Sequence, residues 1–173
     1  MPLLKNGHFV EDEWVGTQSG DLPESGKIIV SLDEYKNSKE NLLKRNGALA
    51  VHIPNDIDVF SLQDDIKHFD MIVVQFPAFP DGRAYSQARQ LRSELNFKGE
   101  LRAVGNILPD QLSFMRQCGM DAFFVSDRFT EADWQKAMGD MTLSYQEDFV
   151  PENGDGPATI LARRRQAREK SGS

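Results

Sequence analysis

The chain holds one cysteine, Cys118, in 173 residues, so it can form no internal disulfide. That usage is normal for a reducing compartment, and the cytoplasm is the expected location. No apolar run approaches the ~20 residues that would span a bilayer, so no membrane association is expected. The opening MPLLKNGHFVEDEW has no basic stretch followed by an apolar one, which argues against a secretory signal. The three histidines, His8, His52 and His68, are widely separated and show no metal-ligand spacing. Phosphate-cradling GxxxxGK[ST], a GxGxxG after a strand and a GxSxG elbow are all missing. A lone cysteine cannot hold an iron–sulfur cluster, and no cofactor is identified. Positive charge is also scarce: 20 Lys and Arg stand against 27 Asp and Glu, for a net charge of −7. From Val150 onward five basic residues face three acidic ones, which leaves −9 on the chain before it. An acidic body disfavours nucleic acid, since neutralising phosphates needs a basic surface.

What is present is an alternation. Leu3 to Val10, broken by Asn6-Gly7, reads as a β-hairpin, because Asn-Gly supplies the two positive φ angles of a tight turn. Residues 16–26 read as loop. Ile28–Val30 is strand-like, and Ser31 with Glu34 forms a capping box for a helix from about Leu32 to Lys44. Ala48–Ile53 is an apolar run of strand length, and Met71–Phe76 is nearly all apolar, which suits a strand covered on both faces. Between them Val59–Phe69 has helical spacing, with Phe60, Ile66 and Phe69 on related faces. A helix over Arg83–Leu95, a strand over Leu101–Gly105, a helix opened by Pro109 and ending near Cys118, a strand over Ala122–Val125 and a helix over Glu131–Met138 complete the pattern. Leu143–Phe149 reads as a final strand. Four or so parallel βαβ units follow, as an open sheet or a half-barrel. Residues 1–149 are expected to form one α/β domain, and the basic tail 150–173 to be disordered. A half-barrel has open edges, and a homodimer or the N-terminal hairpin would cover them.

Polar chemistry concentrates between Phe76 and Gly119. Ligand sites of parallel sheets lie at the carboxyl ends of strands, where Pro77, Pro80, Asp81, Gly82 and Arg83 form a stiff loop. Gly82 is expected to let the chain enter the helix closely. On that helix Arg89 and Arg92 share a flank beside Tyr85, with Ser86 further round. Two guanidiniums and a phenol suit a planar oxyanion, yet pairing with Asp81, Glu94 or acids on a neighbouring element is the favoured reading. Arg102, inside a strand, needs a partner, and Asp81 or Asp110 is expected. Asn106, and Asp110 or Gln111 in the next helix's first turn, are read as caps before binding residues. Cys118, at a helix C-terminus where the dipole disfavours a thiolate, is read as a buried structural residue.

The motifs FPAFPDGRAYSQARQLR, GELRAVGNILPDQL and RQCGMDAFFV resemble a bacterial family of unknown function whose members carry the label of oxidoreductases involved in sulfite reduction. The likeness extends from the hairpin to about Phe149. It implies Asp81, Gly82, Arg83, Tyr85, Ser86, Arg89, Arg92, Arg102, Gly105 and Asp110 as motif positions, without a catalytic role for any. It also implies a place in assimilatory sulfite reduction, as an accessory subunit docked on sulfite reductase or its electron donor, or as an oxidoreductase component binding a sulfur oxyanion. The alternative from the residues alone is a small-molecule enzyme with an anion site of Asp81, Arg83 and Tyr85 at the carboxyl ends of the strands.

Overall fold

A computed structural model describes residues 1–17, 22–77 and 81–147, from 140 on by backbone alone. Eight strands form one sheet: β1 (Leu3–Lys5), β2 (His8–Val10), β3 (Val15–Gly16), β4 (Ile28–Ser31), β5 (Leu49–Ile53), β6 (Met71–Phe76), β7 (Glu100–Gly105) and β8 (Ala122–Phe124). Their order is β2-β1-β8-β7-β6-β5-β4-β3. From β3 to β8 the strands are parallel and in chain order. Right-handed crossovers that always step the same way place the connecting helices on one face of the sheet. That face is buried against α1 (Leu32–Leu43), α2 (Arg83–Arg89), α3 (Leu112–Gln117) and the start of α4 (Glu131–Glu147). Ile28, Val51, Val74 and Leu101 meet Tyr35, Ala88, Met115 and Trp134 in this main core.

The sheet is strongly curled, and chain reach shows why. β2 and β3 lie at opposite edges, yet Val10 and Val15 are five residues apart and can be separated by at most about 18 Å. A flat sheet of eight strands would hold its edges about 33 Å apart. The strap of residues 11–14 therefore joins the two edges of a half-barrel. Trp14 packs with Ala50, Met71 and Val73 on the face without helices, so the strap crosses the concave side.

The hairpin forms with positive φ at Asn6 and Gly7, and β1 pairs antiparallel with β8. It thus covers the edge that the parallel strands leave open. The outer edge of β2 meets α4, where Glu131 accepts the Phe9 amide at 3.0 Å. Ser31 Oγ accepts the Glu34 amide at 3.1 Å, but the Glu34 carboxylate accepts from Thr17 Oγ1 instead of turning back to Ser31, so the capping box is half made.

Two expected elements differ. The crossover at Val59–Phe69 is a pair of 3₁₀ turns, Val59–Leu62 and Ile66–His68, with Phe60 exposed. Asp58 takes the Phe60 amide with its side chain, and the backbone closes i→i+3 bonds from Asp58 to Phe69; aspartates competing for backbone groups stop an α-helix from propagating. The strand expected from Leu143 continues α4 as far as Glu147. Gly139 is the lone breaker between Glu131 and Glu147, at a cost of about 1 kcal/mol, which a helix tolerates. Contacts group Met1–Met138 into one compact unit. The basic tail lies outside the described residues, as do 78–80 of the PDGR loop.

Candidate functional site

The residues singled out in the sequence fall in three places. At the carboxyl ends of β5 and β6, Asp81 accepts from Asn55 Nδ2 at 2.6 Å and from the Arg83 amide at 3.1 Å. The Arg83 guanidinium grips the same carboxylate, with Nη2 at 2.7 Å from Oδ2. These donors, the Arg83 side chain foremost, hold the Asp81 carboxyl down at about 2. Asp81 therefore ties the β5 loop to the start of α2. One turn on, the buried Gln87 donates to the carbonyls of Pro54 and Ile57 at 2.9 and 3.1 Å, fixing the same loop. Gly82 has φ −89°, and a Cβ there would meet nothing within 4 Å among the described residues, so the close entry expected of a glycine is not made among them. The close approach is at Gly105, whose φ is +111° and where a Cβ would lie 2.1 Å from the Phe76 carbonyl oxygen.

Beside that approach Tyr85 stacks edge-on against Phe76 and tilts against the exposed Phe114, at 5.0 and 4.9 Å between ring centres. Burial first, then the nearby Cys118 and Asp110, push the Tyr85 phenol up. Arg89 is exposed and lies 5.1 Å over the Phe114 ring, so its stem and guanidinium shield an aromatic. Ser86, Asn106 and Asp110 are exposed. Asn106 uses its backbone amide, which donates to Phe76 at 2.9 Å. Of the expected caps, Gln111 is the one that serves: its Oε1 accepts the Leu108 amide at 3.1 Å, while the side chains of Asn106 and Asp110 stay exposed. Cys118 is buried, as read from its position.

Arg92 sits at the other end of the sheet. Its guanidinium donates to the carbonyls of Phe97, Gly99 and Gly119 at 2.7, 2.8 and 2.9 Å and pairs with Asp121 at 2.5 Å. Asp121 in turn accepts the Leu101 amide. An open cleft of about 630 Å³ lies here, lined by Arg92, Lys98, Glu100 and Asp121 among others. Arg89 and Arg92 thus act separately, and the favoured reading of pairing to a neighbouring element holds for Arg92.

The third place is the concave face. Arg102 is fully buried, and its partners are Asp12 at 2.8 Å and Glu100 at 3.1 Å, with the Phe124 ring 5.1 Å away. Neither Asp81 nor Asp110 reaches it, because alternation along β7 points Arg102 away from the helix side on which α2 and α3 lie. Lys5 completes the cluster on Glu100 at 2.6 Å. Two strands away at the same level stands His52, aligned with Val73 and through it with Arg102. Burial pushes the His52 imidazole down, and its Nε2 has no partner among the described residues. Glu100 was within reach of sequence reasoning, being two residues before Arg102 on one face of a strand. Asp12 carried no local signal.

Among the described residues no helix is long and apolar enough to cross a membrane, and no three His, Cys, Asp or Glu side chains gather as a metal site. The fold and these clusters define a singly wound α/β half-barrel strapped across its concave face. The chain belongs to a family of bacterial proteins of unknown function (DUF934), whose model matches residues 50–154. No curated protein and no solved structure matches it. The match begins inside β5, so the hairpin, the strap and Asp12 lie outside it.

Proposed function

We propose that this protein is a cytoplasmic accessory component of assimilatory sulfite reduction, docking on sulfite reductase or on its electron donor. The resemblance carried by the PDGR and LRAVG motifs supplies the pathway. One observation favours docking over an anion site around α2: two of the three guanidiniums there are already committed, Arg83 to Asp81 and Arg92 to Asp121 and three carbonyls, which leaves Arg89 alone over Phe114. An arginine spent on internal partners must lose them before it can grip a ligand. The acidic body remains free for a basic partner face, and Asp56, Asp58, Asp64 and Asp110 are all exposed on the helix side.

Co-purification from native extract at low salt, with salt elution and visible absorption of the eluate, tests this reading. Recovery of a haem- or flavin-coloured sulfite-assimilation enzyme is expected. An eluate without any such enzyme would remove the docking role.

A further inference from the structure

Arg102 is an unusual occupant for the inner face of a parallel sheet, where apolar side chains suffice. Its surroundings contain two cations, Arg102 and Lys5, and two carboxylates, Glu100 and Asp12. The carboxylates differ in how they are held. Glu100 belongs to β7 and is gripped from both sides, by Lys5 and by Arg102 Nε. Asp12 comes from the irregular strap, whose residues 11–13 are exposed. Its Oδ2 meets Arg102 Nη1 at 2.8 Å, and its Oδ1 accepts the Trp14 amide at 3.2 Å. Arg102 Nη2 lies 3.1 Å from Glu100 Oε1 but makes no hydrogen bond, although the side chain is wholly buried. With Asp12 withdrawn, the concave face would present one net positive charge, a planar guanidinium backed by Phe124, and a free donor pair the width of a carboxylate.

We propose that Arg102, beneath the strap, is a binding site for a small singly charged oxyanion, which Asp12 occupies as an internal stand-in when the strap is closed. The ligand class is a carboxylate or an inorganic oxyanion of similar size. Binding exchanges one carboxylate-like partner of Arg102 for another and lifts Trp14 from Ala50, Met71 and Val73. The site is separate from the docking surface and stands without it.

The test uses the full chain labelled with ¹⁵N, titrated in mildly acidic buffer with sodium acetate or sodium hydrogen sulfite, both singly charged there, against sodium chloride at constant ionic strength. The indole N–H of Trp14 reports the strap, and that of the buried Trp134 on α4 serves as internal control. Saturable movement of the Trp14 signal alone is expected, with acetate or with hydrogen sulfite, which also separates organic carboxylates from inorganic oxyanions. Asp12→Ala should bind the same anion with a half-saturation at least tenfold lower, because no internal competitor remains. Asp12→Asn, which still fills the space, should not gain this affinity. Arg102→Met should lose the response. Movement in Asp12→Ala but none in the natural chain would mean a permanent latch and overturn the proposal. So would no movement in either, or movement of both indoles together.

Discussion

Arg92 and Asp121 meet at 2.5 Å beneath the amino ends of β7 and β8, and the same guanidinium closes three carbonyls from two different loops. One side chain therefore fixes where both strands begin. Truncation by Arg92→Ala strands those carbonyls and Asp121 together, and should lower stability by about 2–4 kcal/mol. Arg92→Lys should recover little, since one ammonium cannot span the fork. Urea unfolding measures both, and a loss under about 0.5 kcal/mol for the alanine variant would contradict the clamp.

Gly105 and Gly82 make a paired test of where the backbone needs glycine. A methyl group on Gly105 would run into the Phe76 carbonyl from a positive φ, whereas at Gly82 it would meet nothing within 4 Å among the described residues. Gly105→Ala should cost about 3 kcal/mol, and Gly82→Ala no more than about 0.5 kcal/mol. Thermal unfolding of the two variants gives the comparison.

The Arg102 cluster predicts an asymmetry. Asp12→Ala leaves a fully buried guanidinium short of one carboxylate and should destabilise by about 2–4 kcal/mol. Arg102→Met removes the buried charge itself, while Asp12 can rehydrate and Glu100 keeps Lys5, so the loss should stay under about 1 kcal/mol. Equal losses from the two substitutions, measured by denaturant unfolding, would mean that burial of the charge is not the deciding cost.

Two groups set the pH limits. Burial first, then Asp65, raises the Tyr35 phenol to about 12. A phenol raised in the folded state contributes stability that is complete below its ordinary value of about 10 and is lost as pH climbs towards 12. Tyr35→Phe should flatten the fall in stability over that window. Asp81 acts with the opposite sign: held at about 2 by Arg83, it supports the fold above the ordinary carboxylate range and loses this as pH drops towards 2. Carboxyl chemical shifts should show Asp81 as the late titrator among the aspartates.

Much of the architecture is legible because its signals are local. β5 and β6 are apolar but for His52 and Gln75 since both their faces are covered, and Asn6-Gly7 marks its own turn. The 59–69 crossover is not legible by spacing, because Asp58 decides the backbone pattern there and periodicity ignores side-chain competition. The candidate site divides in the same way. Asp81 and Arg83 are two residues apart and meet as neighbours do. Arg92 finds an acid 29 residues away and Arg102 one 90 residues away, through loops and a curl that no local pattern encodes.

Ionic-strength dependence of binding between the purified chain and purified sulfite reductase, or its electron donor, tests the docking account most directly. The acidic surface predicts a complex at low salt whose dissociation constant rises roughly tenfold between about 0.02 and 0.2 M salt. No complex with either enzyme at low salt, or one indifferent to salt, would contradict it.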